Sequence, residues 1–307
     1  MNDDIVAFIQ SPQVHLIFNL SSMCHLACDI SHRQFELYSG SLLIGSAYKV
    51  TRSLNPSECL ASCRLDSACA SLTIDYKKSV CAYSSLNIRK AGSEKALRHS
   101  SHHNYYEKTC LNTTATAACR SAWVFERIKG RELVGLAEER ITIPDIHSRH
   151  QCQIVCLEWR EFTCRSAEFN YQMQECRLSP FNRFAAHDKT LHLESSRSIV
   201  DYLENNCAHE ARGYCNWRAA KQYSILLADS ILTSDSKEQC EASCMASQEF
   251  ICRSYTWDSA TRLCSLSHHT RRSLPSGALV KSFTSTLYEI SNCFEGKLAI
   301  LAAVYAY

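Results

Sequence analysis

The chain has 307 residues and 19 cysteines, about 6% of its length, a density that belongs to disulfide-stapled secreted proteins and not to reduced cytosolic enzymes. Its 33 Lys+Arg against 31 Asp+Glu give a formal charge of +2, which supplies no electrostatic footprint for nucleic acid or anionic lipid. Hydrophobic residues at 46% and charged residues at 21% exclude disorder as the main state.

Residues 1–27 read as an N-terminal segment. Asp3 and Asp4 stand where a secretory leader carries positive charge, and Ile5 to Ile9 is too short for its apolar stretch. Because the cysteines require an oxidising compartment, the expectation is an extracellular, secreted protein with an incomplete amino terminus. No run reaches the ~18 apolar residues that a bilayer span needs. The longest, Leu298 to Tyr307, lies in an apolar tail at 294–307.

One cysteine pattern occurs three times: Cys59, Cys63, Cys69 and Cys81, then Cys152, Cys156, Cys164 and Cys176, then Cys240, Cys244, Cys252 and Cys264. Each quartet is bracketed by an outer pair, Cys28 with Cys110, Cys119 with Cys207 and Cys215 with Cys293. Three modules follow, 28–110, 119–207 and 215–293, joined by linkers of eight and seven residues, and Cys24 is left over.

In the first module Asn55-Pro56-Ser57-Glu58 predicts a helix start, with a capping residue, proline at the first helical position and an acid at the third. Cys59 and Cys63 then lie one turn apart on one helix face. Ser71 to Asp75 reads as a strand ended by Asp75 and a polar turn, before a second strand carrying Cys81. The second module repeats this with Ser148-Arg149-His150-Gln151 and a strand from Ser166 to Asn170; the third does so with Ser236-Lys237-Glu238-Gln239 and Ser254 to Asp258. Each module is thus expected to be a helix stapled onto an antiparallel hairpin, an α+β arrangement. Six cysteines allow fifteen pairings. The helix geometry narrows these to Cys156 with Cys164, Cys152 with Cys176 and Cys119 with Cys207, with equivalents in the other modules.

These residues resemble the PAN/apple module family. Residues 119–207 carry the resemblance best, through Trp123, Phe125-Glu126-Arg127, Phe162, Cys164-Arg165-Ser166-Ala167-Glu168-Phe169-Asn170-Tyr171 and Tyr202-Leu203-Glu204-Asn205-Asn206-Cys207. The wording is similar to PAN modules ahead of zona pellucida domains in apical extracellular-matrix proteins of arthropods and nematodes. The resemblance implies three tandem disulfide-stapled modules, each an antiparallel sheet with one packed helix. It also implies non-catalytic binding of protein or carbohydrate partners, a repetitive matrix polymer among them. The chain carries no zona pellucida or protease domain of its own, which leaves a second reading as the recognition region of a larger protein.

A four-cysteine zinc site in each repeat is the main rival, but x11 spacing and six cysteines per module suit bridges better. His99, His102, His103, His268 and His269 fall in polar segments and are expected to be solvated loop residues. Neither a nucleophile elbow, H-E-x-x-H nor a phosphate-cradling loop is present, so no enzyme and no cofactor is expected. Asn112 and Asn19 fit the glycosylation acceptor pattern. Phe169, Trp257, Tyr105, Tyr202 and Tyr288 recur in register and are assigned to core. No ligand-binding residue is named by the sequence. The short linkers predict modules that fold alone and bind by avidity.

Overall fold

The computed structural model describes residues 28–45, 47–53, 55–88, 90, 96–135, 140–184, 192–196, 199–208 and 216–291. Module 1 contains β1 (Arg33–Tyr38), β2 (Ser41–Leu43), β3 (Lys49–Arg52), α1 (Pro56–Leu65), β4 (Ser71–Asp75), β5 (Val80–Ser84), β6 (Leu97–His99) and β7 (His103–Cys110). After the short helix α2 (Thr114–Ala118), module 2 contains β8 (Phe125–Lys129), β9 (Arg131–Val134), β10 (Ile141–Ile143), α3 (Arg149–Glu158), β11 (Ser166–Asn170), β12 (Glu175–Ser179), β13 (His192–Ser195) and β14 (Val200–Asn205). Module 3 has β15 (Asn216–Ile225), β16 (Ser230–Thr233), α4 (Lys237–Ala246), β17 (Ser254–Asp258), β18 (Leu263–Ser267) and β19 (Leu279–Ser291).

The strand order is the same in every module: β1-β7-β4-β5-β3, β8-β14-β11-β12-β10 and β15-β19-β17-β18-β16. Local chemistry sets the repeated hairpin. Asp75, Asn170 and Asp258 each accept the backbone N–H groups two and three residues ahead, folding the chain into the turn. Ser79, Gln174 and Arg262 then take left-handed φ of 53°, 52° and 56° before the return strand.

The helix caps are formed as expected, with one change. Ser148 and Ser236 accept from the N–H of Gln151 and Gln239. The glutamines reach back one residue further than a capping box requires, to the N–H of His147 and Asp235. On the inner face of each helix the cysteines join the sheet: Cys59–Cys81 and Cys63–Cys69, Cys152–Cys176 and Cys156–Cys164, Cys240–Cys264 and Cys244–Cys252. Cys28–Cys110 and Cys119–Cys207 tie the ends of modules 1 and 2. Cys215, Cys293 and Cys24 lie outside the described residues, as do Asn19 and the 294–307 tail.

The modules are not separate beads. β1 pairs in parallel with β8, through Glu36 opposite Phe125 and Leu37 opposite Glu126, so modules 1 and 2 share one ten-stranded sheet. Their helices cover opposite faces of it. Phe35 and Leu37 pack with Cys59 and Leu60 of α1, whereas Glu36, on the other side of β1, meets Arg149 and Gln153 of α3. The first linker is itself structured, with Thr116 of α2 buried and accepting from Gln34.

Module 3 joins the same body, and Ala220, Ile225, Leu227, Leu274, Ala278 and Leu287 complete the core of module 1. The core of module 1 is thus shared with module 3 and with Trp123, whereas the clusters around α3 and α4 are each built within one module. At the closest approach Gly277 donates to Ser101 O at 2.6 Å, and a Cβ there would lie 2.0 Å from His102 Nδ1 and 2.7 Å from Ser101 O. Gly277→Ala is therefore expected to lower stability by about 1–3 kcal/mol through overpacking. Urea unfolding midpoints of the two proteins, measured with disulfides intact, check this.

Candidate functional site

Where β1 meets β8, two strands bring charged residues under helix α3. Arg149 Nε lies 3.1 Å from Glu36 Oε1, and Gln153 donates to Glu36 Oε2 at 2.8 Å. Arg127 Nε donates to Asp201 Oδ2 at 2.6 Å, and Tyr171 donates to the same oxygen at 2.7 Å. Both arginines also donate to the Tyr38 hydroxyl at 3.1 Å. Burial opposes ionisation of Glu36, but Arg149 and Arg127 outweigh it and hold the carboxyl below its ordinary value. This network fastens module 1 to module 2 through charge-assisted bonds shielded from water.

On the other side Trp123, just ahead of β8, is inserted between modules 1 and 3. Its ring lies 4.5 Å from both His268 and His269 and 6.0 Å from Tyr106. His268 and His269 are buried, contrary to their expected place in a solvated loop, because module 3 seats them against Trp123 and module 1. The hydroxyls of Tyr76 and Tyr106 approach His269 Nε2 at 2.9 and 3.1 Å, while Nδ1 lies 3.0 Å from Ser273 Oγ. Ser273 Oγ also lies 3.3 Å from Thr270 O, which fits a proton on His269 Nδ1 and two tyrosines donating to Nε2. Nearby, the buried Asp229 accepts from Ser57 of module 1, Ser267 and the His268 N–H, and its Oδ2 is 2.7 Å from His268 Nδ1.

Burial, reinforced by the charge of His268, pushes His269 well below its ordinary value of 6.5. The unfolded chain therefore takes up this proton first, so the contribution of His269 is complete above 6.5 and is lost as pH falls below it. The expected loss is up to ~1.4 kcal/mol per pH unit in that window. Urea unfolding at pH 7.5 and 5.5 of the native chain and of His269→Gln isolates the effect as the difference between their two slopes, since the variant lacks the His269 contribution alone.

A third set lies beneath. Arg183 pairs with Glu126, and its Nε lies 2.8 Å from Glu204 Oε2. Burial pushes Glu126 up to about 7, against the pull of Arg183 and with the like charge of Glu204 adding to it. Arg183, Arg253 of module 3 and Arg272 of module 3 all lie over the Phe184 ring, at 5.4, 5.5 and 5.3 Å. Arg253 donates to Asn206 and Arg272 to the Arg183 carbonyl. Above this stack opens a cleft of about 390 Å³ to which all three modules contribute, lined among others by Ser39, Arg98, Lys129 and Arg272.

The PAN domain model matches residues 24–110, 119–207 and 215–293. The chain belongs to the PAN domain family. PAN modules are generally extracellular modules for interaction with protein or carbohydrate, and typically non-catalytic. No curated protein matches the chain. Among solved structures, it is similar to the two N-terminal apple domains of Toxoplasma gondii microneme protein 4, at 15% identity over 54% of this chain and 88% of that one, with a TM-score of 0.21. It is also similar to Toxoplasma gondii AMA4 DI-DII-EGF1 in complex with a 33-residue TgRON2L1 peptide, at 16% identity, covering 46% of this chain and 41% of that one, with a TM-score of 0.18. AMA4 DI-DII-EGF1 from the same organism gives 14% identity over 46% and 38%, with a TM-score of 0.19.

Of the residues singled out from sequence, the quartet cysteines of every PAN module form the helix staples, and Tyr105, Phe169 and Tyr202 are buried core. Tyr288 and Trp257 are only partly buried, in the smaller core of the third PAN module. Asn112 is exposed between Cys110 and α2, next to Thr113, which caps that helix. His99 is exposed and lines the cleft, while His103 approaches Asp75 at 3.4 Å. The inter-module residues Asp229 and Arg183, and Asp201, which holds Arg127 at the joint, were missed. A signal existed in Phe35-Glu36 and Phe125-Glu126, which repeat at one register of the two PAN modules and mark the strands that pair. Among the described residues no helix is long and apolar enough to cross a membrane.

Proposed function

We propose that this chain is an extracellular, non-catalytic adhesion protein that uses its PAN modules together to hold protein or carbohydrate partners in extracellular-matrix assembly. The observation that carries the reading is the match of the PAN domain to three successive segments, spanning most of the chain. Three modules held in one body present their surfaces at fixed spacing, which favours repetitive partners such as matrix polymers through high effective concentration. The similarity of residues 119–207 to PAN modules of apical matrix proteins supports the same setting. Asn112, exposed ahead of α2, is the proposed glycan acceptor, as its place at the surface of a secreted chain suits that modification.

The test is retention of the intact, oxidised chain on immobilised matrix protein and on immobilised polysaccharide, with and without chelator. The expected result is chelator-resistant retention that soluble monomeric fragments of the same polymer displace only at ~10²-fold or greater molar excess. Retention on neither surface would overturn the reading.

A further inference from the structure

Sheet register matches three segments, one in each module. Phe35, Phe125 and Trp217 lie opposite Lys108, Asn205 and Ile290, and the residues that follow, Glu36, Glu126 and Arg218, lie opposite Glu107, Glu204 and Glu289. In every case the aromatic residue packs into the core beneath the helix of its own module. Five residues after it, Gly40, Gly130 and Gln222 take left-handed φ of 62°, 65° and 64° and break the run of the strand. Two of these strands, β1 and β8, are spent on each other, whereas β15 has no neighbour on its outer edge among the described residues. A row of backbone N–H and C=O groups is left open there.

We propose that β15 takes up an acidic extended segment of a partner protein as a further strand, in the parallel arrangement by which β8 takes β1. The inference rests on the adhesion reading only for there being a protein partner. Its specificity comes from a reversal of charge. In the joint, Leu37 of β1 lies beside Glu126 of β8, whose carboxylate is met from within by Arg183 and so needs no counter-charge from β1. Arg218 stands at the place of Glu126, is exposed, and has no hydrogen bond or ion pair among the described residues; Glu289, opposite it, is held by Arg271. A carboxylate must therefore come from the incoming strand, at the place of Leu37, where cross-strand pairs of opposite charge favour it. Lys221, also exposed and without a bonded partner among the described residues, adds a second cation to a strand that has no acid. The edge thus attracts acidic segments and steers them in. A second copy of β15 would bring two more cations and no strand carboxylate, which sets it aside as the occupant.

Fluorescence anisotropy of the full oxidised chain with labelled peptides of residues 33–40 tests this, the peptides carrying Leu37→Glu, the native leucine or Leu37→Lys. The Glu form should bind about tenfold more tightly than the Lys form, by a margin that shrinks as salt rises. Arg218→Glu changes an exposed residue with no bonded partner among the described residues, so the variant is expected to fold, and it should reverse the order. N-methylation of alternate residues of the tightest peptide, in either of two phases, should abolish binding in one phase, because only one edge of the peptide pairs. Equal binding of the Glu and Lys forms, an order that Arg218→Glu leaves unchanged, or binding that survives both methylated phases would overturn the proposal. So would the absence of binding by every peptide at ~1 mM, which would show that the cations only blunt the edge. A native dimer in sedimentation that the peptide disperses would assign the edge to a second copy and overturn it as well. The native chain is also run on the immobilised matrix. Retention there without peptide binding removes the strand-accepting edge and leaves the adhesion reading intact, whereas a native chain retained nowhere removes that reading itself.

Discussion

Replacing Trp123 with alanine is expected to cost about 3–5 kcal/mol of stability, the upper range for deletion of a buried aromatic. The residue is fully buried and touches all three modules at once, through Tyr106 on one side and His268 and His269 on the other. Its loss opens a cavity that no single module can close, because the surrounding rings are fixed by separate disulfide frameworks. Urea unfolding without reductant should show a lower midpoint, and limited proteolysis should cut first between modules while leaving each staple intact. An unchanged midpoint would mean that module 3 does not depend on this contact.

The second large effect is expected from Arg183→Met. Removing the guanidinium leaves Glu126 and Glu204 buried without their shared cation, which costs about 3–5 kcal/mol at neutral pH. The sign of the pH dependence follows from Glu126, already raised to about 7 against an ordinary 4.5. A carboxyl raised in the folded state holds a proton that the unfolded chain has released, so the contribution of Glu126 falls as pH rises from 4.5 towards the folded value. In the variant this fall should be steeper, and the deficit against the native chain should shrink at pH 4.5. Unfolding free energies of both proteins at pH 4.5 and 7.5 check this; a pH-independent deficit would show that lost packing, not charge, is responsible.

What could be read in the sequence was local. The spacing of Cys152, Cys156, Cys164 and Cys176, the caps at Ser148 and Ser236, and the turn-forming Asp75, Asn170 and Asp258 act within about 25 residues of one another. Their chemistry therefore repeats visibly from module to module. His268 and His269 failed for the opposite reason: a histidine pair in a polar stretch looks solvated unless one knows that Trp123 and Tyr106, far away in sequence, close over it. Asp229 and Arg183 are likewise ordinary surface types until another module desolvates them. The strand pairing that welds modules 1 and 2 was announced only by the repeated Phe-Glu of Phe35-Glu36 and Phe125-Glu126, too short a signal to specify a partner.

The parallel joining of β1 to β8 brings together the same edge strand of two like modules, and the strand order reads the same outward from the joint in both directions. Each module spends the same edge, and once paired that edge is closed to any further copy. A contact of this kind cannot propagate along a chain as the interfaces of a solenoid do. Module 3 accordingly docks by its own core-covering residues and its histidine loop, while its sheet keeps β15 at the edge. Repetition in the sequence therefore builds a pair plus one: the edge strands β1 and β8 are spent on each other, while the corresponding strand of module 3, β15, keeps its edge.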